Sequence, residues 1–198
     1  MAAAAMTRLR PVLLVLLFLC VEGRAGGQEV PPPAYQLAAQ RAGIPSPVLY
    51  AVALQESGLR RGGRVVPWPW TLNVAGESRR YATRAAACAG LLQALRVFPA
   101  TRVDAGLGQI NLGHQKHRYR QPCELLDPYY NLAQSADILR EQHSPDEDWL
   151  LAIGRYHRPA GGEPAARYRR GVSRHLQRVQ GACTSTASAC LARKEHRP

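Results

Sequence analysis

Glu56 is the side chain around which a reaction is most readily written. It lies in the stretch Pro45–Leu59, Pro-Ser-Pro-Val-Leu-Tyr-Ala-Val-Ala-Leu-Gln-Glu-Ser-Gly-Leu. Ser46 before Pro47 predicts a helix start, since a serine hydroxyl caps an orphan N–H and proline forfeits nothing at the first helical position. Gly58 predicts the stop. On such a helix Leu49, Val52 and Glu56 fall at i, i+3 and i+7, which puts a carboxylate on the stripe otherwise given to apolar side chains. Loss of hydration there disfavours the charged form, raises the pKa and gives a general acid that holds its proton near neutral pH. The competing reading is an ordinary glutamate near a helix end, turned out into solvent.

A second chemistry-bearing stretch is Asp104–Gly113, Asp-Ala-Gly-Leu-Gly-Gln-Ile-Asn-Leu-Gly. Its glycines let the backbone approach a ligand closely. Neither the dinucleotide fingerprint nor a Gly-Lys pair is present, so this is not a phosphate cradle. Gln109 and Asn111, neutral hydrogen-bonding side chains, suit a sugar or a peptide. Trp68 and Trp70, two apart in an extended run, predict a same-sided pair fit either to stack on a sugar ring or to cover the core. His114 and His117 have no carboxylate or cysteine partner in helical register, and no metal site is expected.

The elements that must hold these groups are mostly helical. Ala34–Ala42 predicts a short helix ended by Gly43, and Ser78–Phe98 a long one through Tyr81, Ala85, Cys88, Leu92 and Leu95, ended by Pro99. Between them Arg60–Arg64 reads as a basic turn. Val65–Val74 reads as one irregular or edge strand, because prolines interrupt it. A helix opens at Pro128 or Asn131, the next at Ser144-Pro145 with Asp146, Glu147 and Asp148 in its first turn, and a basic amphipathic helix spans Ala165–Val179. On that last helix Tyr168, Val172, His175 and Val179 fall near one face.

Composition sets the compartment. The chain has 198 residues, 46% hydrophobic and 20% charged, enough for one domain with a core. Arg8 and Arg10, the apolar run Pro11–Val21 and small residues at Gly23 and Ala25 predict a cleaved export signal over residues 1–25, too short to span a bilayer. Leu19 before Cys20 argues against a lipid anchor. Residues 26–33 read as a linker and 180–198 as a flexible basic tail. Removing the signal leaves Cys88, Cys123, Cys183 and Cys190 in an oxidising compartment, where disulfides persist. Of the three pairings, Cys183 with Cys190 closes a short loop and leaves Cys88 with Cys123; metal ligation competes, but no C-x-x-C spacing occurs. The net charge of +12 favours anionic partners; export and the lack of a binding motif count against nucleic acid.

Three stretches in one order carry a family resemblance. Gln55-Glu56-Ser57-Gly58-Leu59, then Gly106-Leu107-Gly108-Gln109-Ile110-Asn111, then Ala152-Ile153-Gly154-Arg155-Tyr156-His157 resemble the signature of soluble-type lytic transglycosylases, glycoside hydrolase family 23. The glycine motif and tryptophan-rich strand are most similar to the small members encoded with conjugative elements and secretion systems. The resemblance implies a mostly α (α+β) lysozyme-like fold over residues 34–179 with a small irregular β element. It implies Glu56 as the catalytic acid/base, Ser57 as the residue beside it that helps hold the site, Gln109 in the glycan groove and Tyr156 reaching toward the carboxylate. No cofactor is implied. The partner it implies is peptidoglycan in the periplasm, with a conjugative or secretion-system envelope complex as a further candidate. Gly108 stands where many members have methionine, and His157 where asparagine is common.

One-carboxylate chemistry fits that resemblance, since the substrate's own 6-hydroxyl replaces water. An ordinary glycosidase needs a second acid, for which Asp104 and Glu77 are the candidates. A lysozyme-type hydrolase and a non-catalytic wall-binding assembly factor are therefore the rival expectations.

Overall fold

The computed structural model describes residues 29–180. The expected export signal, Cys20, Cys183, Cys190 and the tail beyond Gln180 lie outside them. Within them the fold is mostly helical α+β, with six α-helices and two small antiparallel sheets. No described helix is long and apolar enough to cross a membrane.

Helix α2 (Ser46–Ser57) is the axis of the helical half. Every residue from Val48 to Leu54 is buried, so the helix has no polar face until its last turn, as a run without a polar residue requires. Around it pack α1 (Pro33–Ala42), α4 (Pro128–Glu141), α5 (Trp149–His157) and α6 (Gly162–Gln180). Ser46 is not its cap: the carbonyl of Pro45 already accepts from Val48 N at 3.0 Å, so Ser46 lies inside the first turn. Gly58 does end the helix, but by leaving directly into a strand at φ −56° and not by a left-handed turn. A Cβ there would lie 2.2 Å from the Leu54 carbonyl oxygen and 2.8 Å from Val65 Cγ1. Close approach is what requires the glycine.

The expected linker over 26–33 is corrected at its described end. Pro33 begins α1 and Pro31 is buried. Glu29 accepts from the Tyr50 hydroxyl at 2.8 Å and pairs with Arg178 at 2.9 Å, which ties the lead-in to both α2 and α6.

The single strand expected over Val65–Val74 is two strands in different sheets. β1 (Gly58–Arg61) and β2 (Arg64–Pro67) form a hairpin closed by Gly62 and Gly63, both at positive φ. After a break at Pro69, β3 (Thr71–Val74) pairs with β4 (Glu77–Arg80) and with β5 (Val103–Ala105), and β5 with β6 (Ile110–Asn111), in the antiparallel order β4-β3-β5-β6. The helix expected from Ser78 therefore starts later. α3 (Arg84–Val97) is capped by Thr83, whose hydroxyl accepts from Ala86 N, because residues 77–80 are taken by cross-strand pairing. α5 is likewise capped by Asp148, which accepts from Leu150 N at 2.8 Å, and not by Ser144.

α3 packs on the four-stranded sheet through Ala87, Leu91, Leu72, Val74 and Val103, a second core beside the helical one. Cys88 and Cys123 are bonded, with Cα atoms 5.3 Å apart, as expected. The bridge holds α3 to the short 3-10 turn Pro122–Leu126 that leads into α4.

Candidate active site

The two cores part where α2 ends, and the gap between them is an open cleft of about 370 Å³. Asn73, Asp104 and Asn111 of the sheet face it from one side. Glu56, at the end of α2, and Tyr156 and His157, at the end of α5, face it from the other, and Gln109 joins the lining from the glycine loop.

Glu56 is partly buried and not turned into solvent. The hydroxyl of Tyr168 on α6 donates to its Oε1 at 2.5 Å. Tyr168 is itself buried and stacks its ring on that of His157, with centroids 4.4 Å apart and planes 3° from parallel. Burial pushes the Glu56 carboxyl up to about 8; the Tyr168 hydrogen bond opposes this and the negative charge of Asp104 adds to it. Glu56 thus holds its proton at neutral pH beside an open polar cleft, as a general acid must. Burial, the Glu56 charge and the hydrogen bond together push the Tyr168 phenol well above its ordinary value, so it remains a donor.

Ser57 follows Glu56 and is fully buried. Its hydroxyl has Leu107 O at 2.8 Å and Ala53 O at 3.0 Å, and so joins the last turn of α2 to the glycine loop. The loop is gripped from below by Asn131, which sequence reasoning assigned only to a helix start. Asn131 accepts from Gly108 N at 2.8 Å and donates to Ala105 O and Leu125 O at 3.0 and 2.8 Å. Gly106 has φ +85°, and a Cβ on it would meet Asn131 Nδ2 at 2.1 Å. Gln109, at φ +47°, donates its amide to Gly106 O at 2.7 Å and Thr71 O at 3.1 Å, leaving its carbonyl end as the acceptor for the cleft.

Tyr156 lines the cleft together with Glu56, and the Glu56 charge adds to burial in pushing its phenol up. Its hydroxyl donates to Gly108 O at 2.7 Å, an approach open because residue 108 has no side chain: a Cβ there would lie 2.7 Å from that hydroxyl and 2.0 Å from Ser135 Oγ. The hydroxyl bonded to Glu56 is that of Tyr168. The only sequence signal for it was a polar-tipped aromatic on the apolar face of an arginine-rich helix, since a buried tyrosine hydroxyl needs a partner.

Neither tryptophan is among the residues that line the cleft. Trp68 and Trp70 sit at the break around Pro69 as an edge-to-face pair 5.7 Å apart, and Trp68 donates to Tyr81 O at 2.7 Å. Trp70 packs on the second core. Of the two candidate second acids, Glu77 is exposed and paired with Arg79, whereas Asp104 faces the cleft. Among the described residues no group of three or more His, Cys, Asp or Glu is placed to hold a metal ion.

Comparison of the chain with protein-family models, with curated proteins and with solved structures returns no match in any of the three. Fold and site define a class in physical terms: a mostly helical α+β protein that presents a neutral, tyrosine-bonded glutamic acid to a cleft lined by amides.

Proposed function

We propose that this protein is a peptidoglycan lytic transglycosylase of lysozyme-like fold, exported to the periplasm. It cleaves the β-1,4 bond between N-acetylmuramic acid and N-acetylglucosamine and leaves 1,6-anhydromuramic ends. The observation that carries the reading is Glu56 itself, a carboxylic acid raised to about 8 by burial and aimed into an open cleft. Glu56 gives its proton to the glycosidic oxygen as the bond to the muramyl anomeric carbon breaks, and the substrate's N-acetyl group assists. The resulting carboxylate then takes the proton of the 6-hydroxyl, which attacks the same carbon and closes the anhydro ring. Tyr168 supports both halves: its donated hydrogen bond orients the carboxyl and stabilises the transient anion.

The amide-rich lining of Asn73, Gln109 and Asn111 suits a neutral, hydroxyl-rich glycan, and the positive charge suits a wall polymer whose peptides carry carboxylates. The biological setting we propose is local wall opening during conjugation or assembly of a secretion system. Incubation with purified peptidoglycan and mass spectrometry of the fragments tests the reading: muramyl ends lighter by one water than a lysozyme product are expected. Absence of any glycan cleavage by the purified protein would leave the wall-binding alternative.

A further inference from the structure

Two features that the reaction leaves unused, the basic hairpin and Trp68, come together just past the end of α2. Arg61 of β1 and Arg64 of β2 are cross-strand partners beside the Gly62 and Gly63 turn, so they project from one face of the hairpin, and both are exposed. The Arg61 guanidinium lies 5.9 Å from the centre of the Trp68 ring. Trp68 is fixed at both ends: its main-chain N–H donates to Ser57 O at 3.1 Å and its indole to Tyr81 O at 2.7 Å. Arg80 of β4, the residue before Tyr81, is exposed and donates to Gly58 O at 3.0 Å. The group is thus built on Ser57 and Gly58, the two residues that follow Glu56. It continues the cleft, because Ser78 lines the cleft and Arg80, two residues on, shares its face of β4. Among the described residues Arg61, Arg64 and Arg80 have no carboxylate partner, whereas Arg79 and Arg178 are paired with Glu77 and Glu29. No acidic residue occurs from Ser57 to Gly76. Three guanidinium groups without a counter-charge, set around an aromatic ring, make a receptor for carboxylates.

We propose that Arg61, Arg64 and Arg80, around Trp68, form a subsite for the carboxylates of the peptide carried by a glycan strand in the cleft, so that the protein prefers peptide-bearing strands to bare ones. The proposal rests on the glycan-cleaving reading of Glu56 given above. The peptide of a wall glycan hangs from the muramyl sugar at the scissile bond, so its carboxylates are tethered close to Glu56 and leave the cleft along its rim. Guanidinium groups there meet them as paired N–H donors, and the Trp68 face holds Arg61 ready. Since these side chains are exposed, the attraction is screened by salt. It acts on capture of the strand and not on the breaking bond, and therefore shows in KM and not in kcat.

The test compares soluble glycan strands that carry their peptides with the same strands stripped of peptide by an amidase. At low salt the wild type should show a kcat/KM roughly fivefold higher on the peptide-bearing strands, the size expected of exposed ion pairs, and the preference should shrink at high salt. In the double variant Arg61→Gln, Arg64→Gln the preference should largely vanish through a higher KM for peptide-bearing strands. Both side chains are exposed, so the fold does not depend on them; Arg80, whose bond holds Gly58, is left in place. The double variant Arg96→Gln, Arg140→Gln removes two exposed charges from α3 and α4, outside the cleft lining, and should keep the preference. Equal cleavage of both strands by the wild type, or a preference that falls alike in the two double variants, overturns the proposal and leaves the transglycosylase reading standing. Absence of cleavage of either strand by the wild type, or cleavage that survives Glu56→Gln, overturns that reading and this one together.

Discussion

Tyr168 and Glu56, 112 residues apart in the chain, share a 2.5 Å hydrogen bond at the junction of α6 and α2. Because the phenol donates, the bond favours the charged carboxylate and pulls its pKa down against the desolvation that pushes it up.

Removing that donor should therefore move the pH dependence upward. Activity carried by protonated Glu56 should fall as pH rises through about 8 in the wild type. In Tyr168→Phe the alkaline limb should lie at higher pH, with a rate reduced roughly tenfold because an orienting charge-assisted bond is gone. A pH–rate profile on soluble peptidoglycan fragments measures both. A limb at lower pH would show that the phenol does not act on the carboxylate in this way.

Glu56→Gln should keep the fold and lose the proton donor, with a fall in cleavage rate of roughly 10²–10⁴-fold. It should also change stability with a definite sign. The folded-state pKa of Glu56 is raised from 4.5 to about 8, so the stability it contributes is full below about 4.5 and is lost as pH rises to about 8. The loss is at most about 5 kcal/mol, and less because cleft water screens the charge. Thermal melts at pH 5 and pH 9 should differ more for the wild type than for the glutamine variant.

Asn131→Ala should destabilise the fold by roughly 2–4 kcal/mol, since it strips partners from three buried backbone groups of the glycine loop. Chemical denaturation measures the loss. Cleavage measured well below the melting temperature should drop as well, because the loop positions Gln109. A neutral effect on both would mean that the loop is held by its strands alone.

Breaking the Cys88–Cys123 bridge closes the question of how α3 is secured. The bridge spans 35 residues of sequence, and its loss should cost about 3–4 kcal/mol through the entropy regained by the unfolded chain. A Cys88→Ser, Cys123→Ser double variant should melt at lower temperature while keeping Glu56 in place, so that the rate per folded molecule is retained.

What the residues determine by themselves is local. Gly43 ends α1 at φ +67° because only a residue without Cβ takes that turn freely. The apolar run before Gln55 determines that α2 is buried and hence that Glu56 is desolvated. Glycines at 106 and 108 announce a close approach, though not to what.

Tertiary structure decided the rest, because the interactions concerned join residues far apart in the chain. Nothing local in Val65–Val74 says that its two halves pair with different strands, since pairing partners lie in Gly58–Arg61, Glu77–Arg80 and Val103–Ala105. Neither Trp68 nor Trp70, at the break between those halves, is among the residues lining the cleft. The choice between tyrosines was likewise nonlocal: Tyr156 and Tyr168 both lie on helix faces that pack inward, and the packing of α6 against α2 sets which hydroxyl meets Glu56. Asp104 and Asn73 read as separate polar residues in the chain. The register of β3 with β5, which depends on main-chain hydrogen bonds and on the burial of Val103 and Ala105, makes them neighbours on the wall facing the acid.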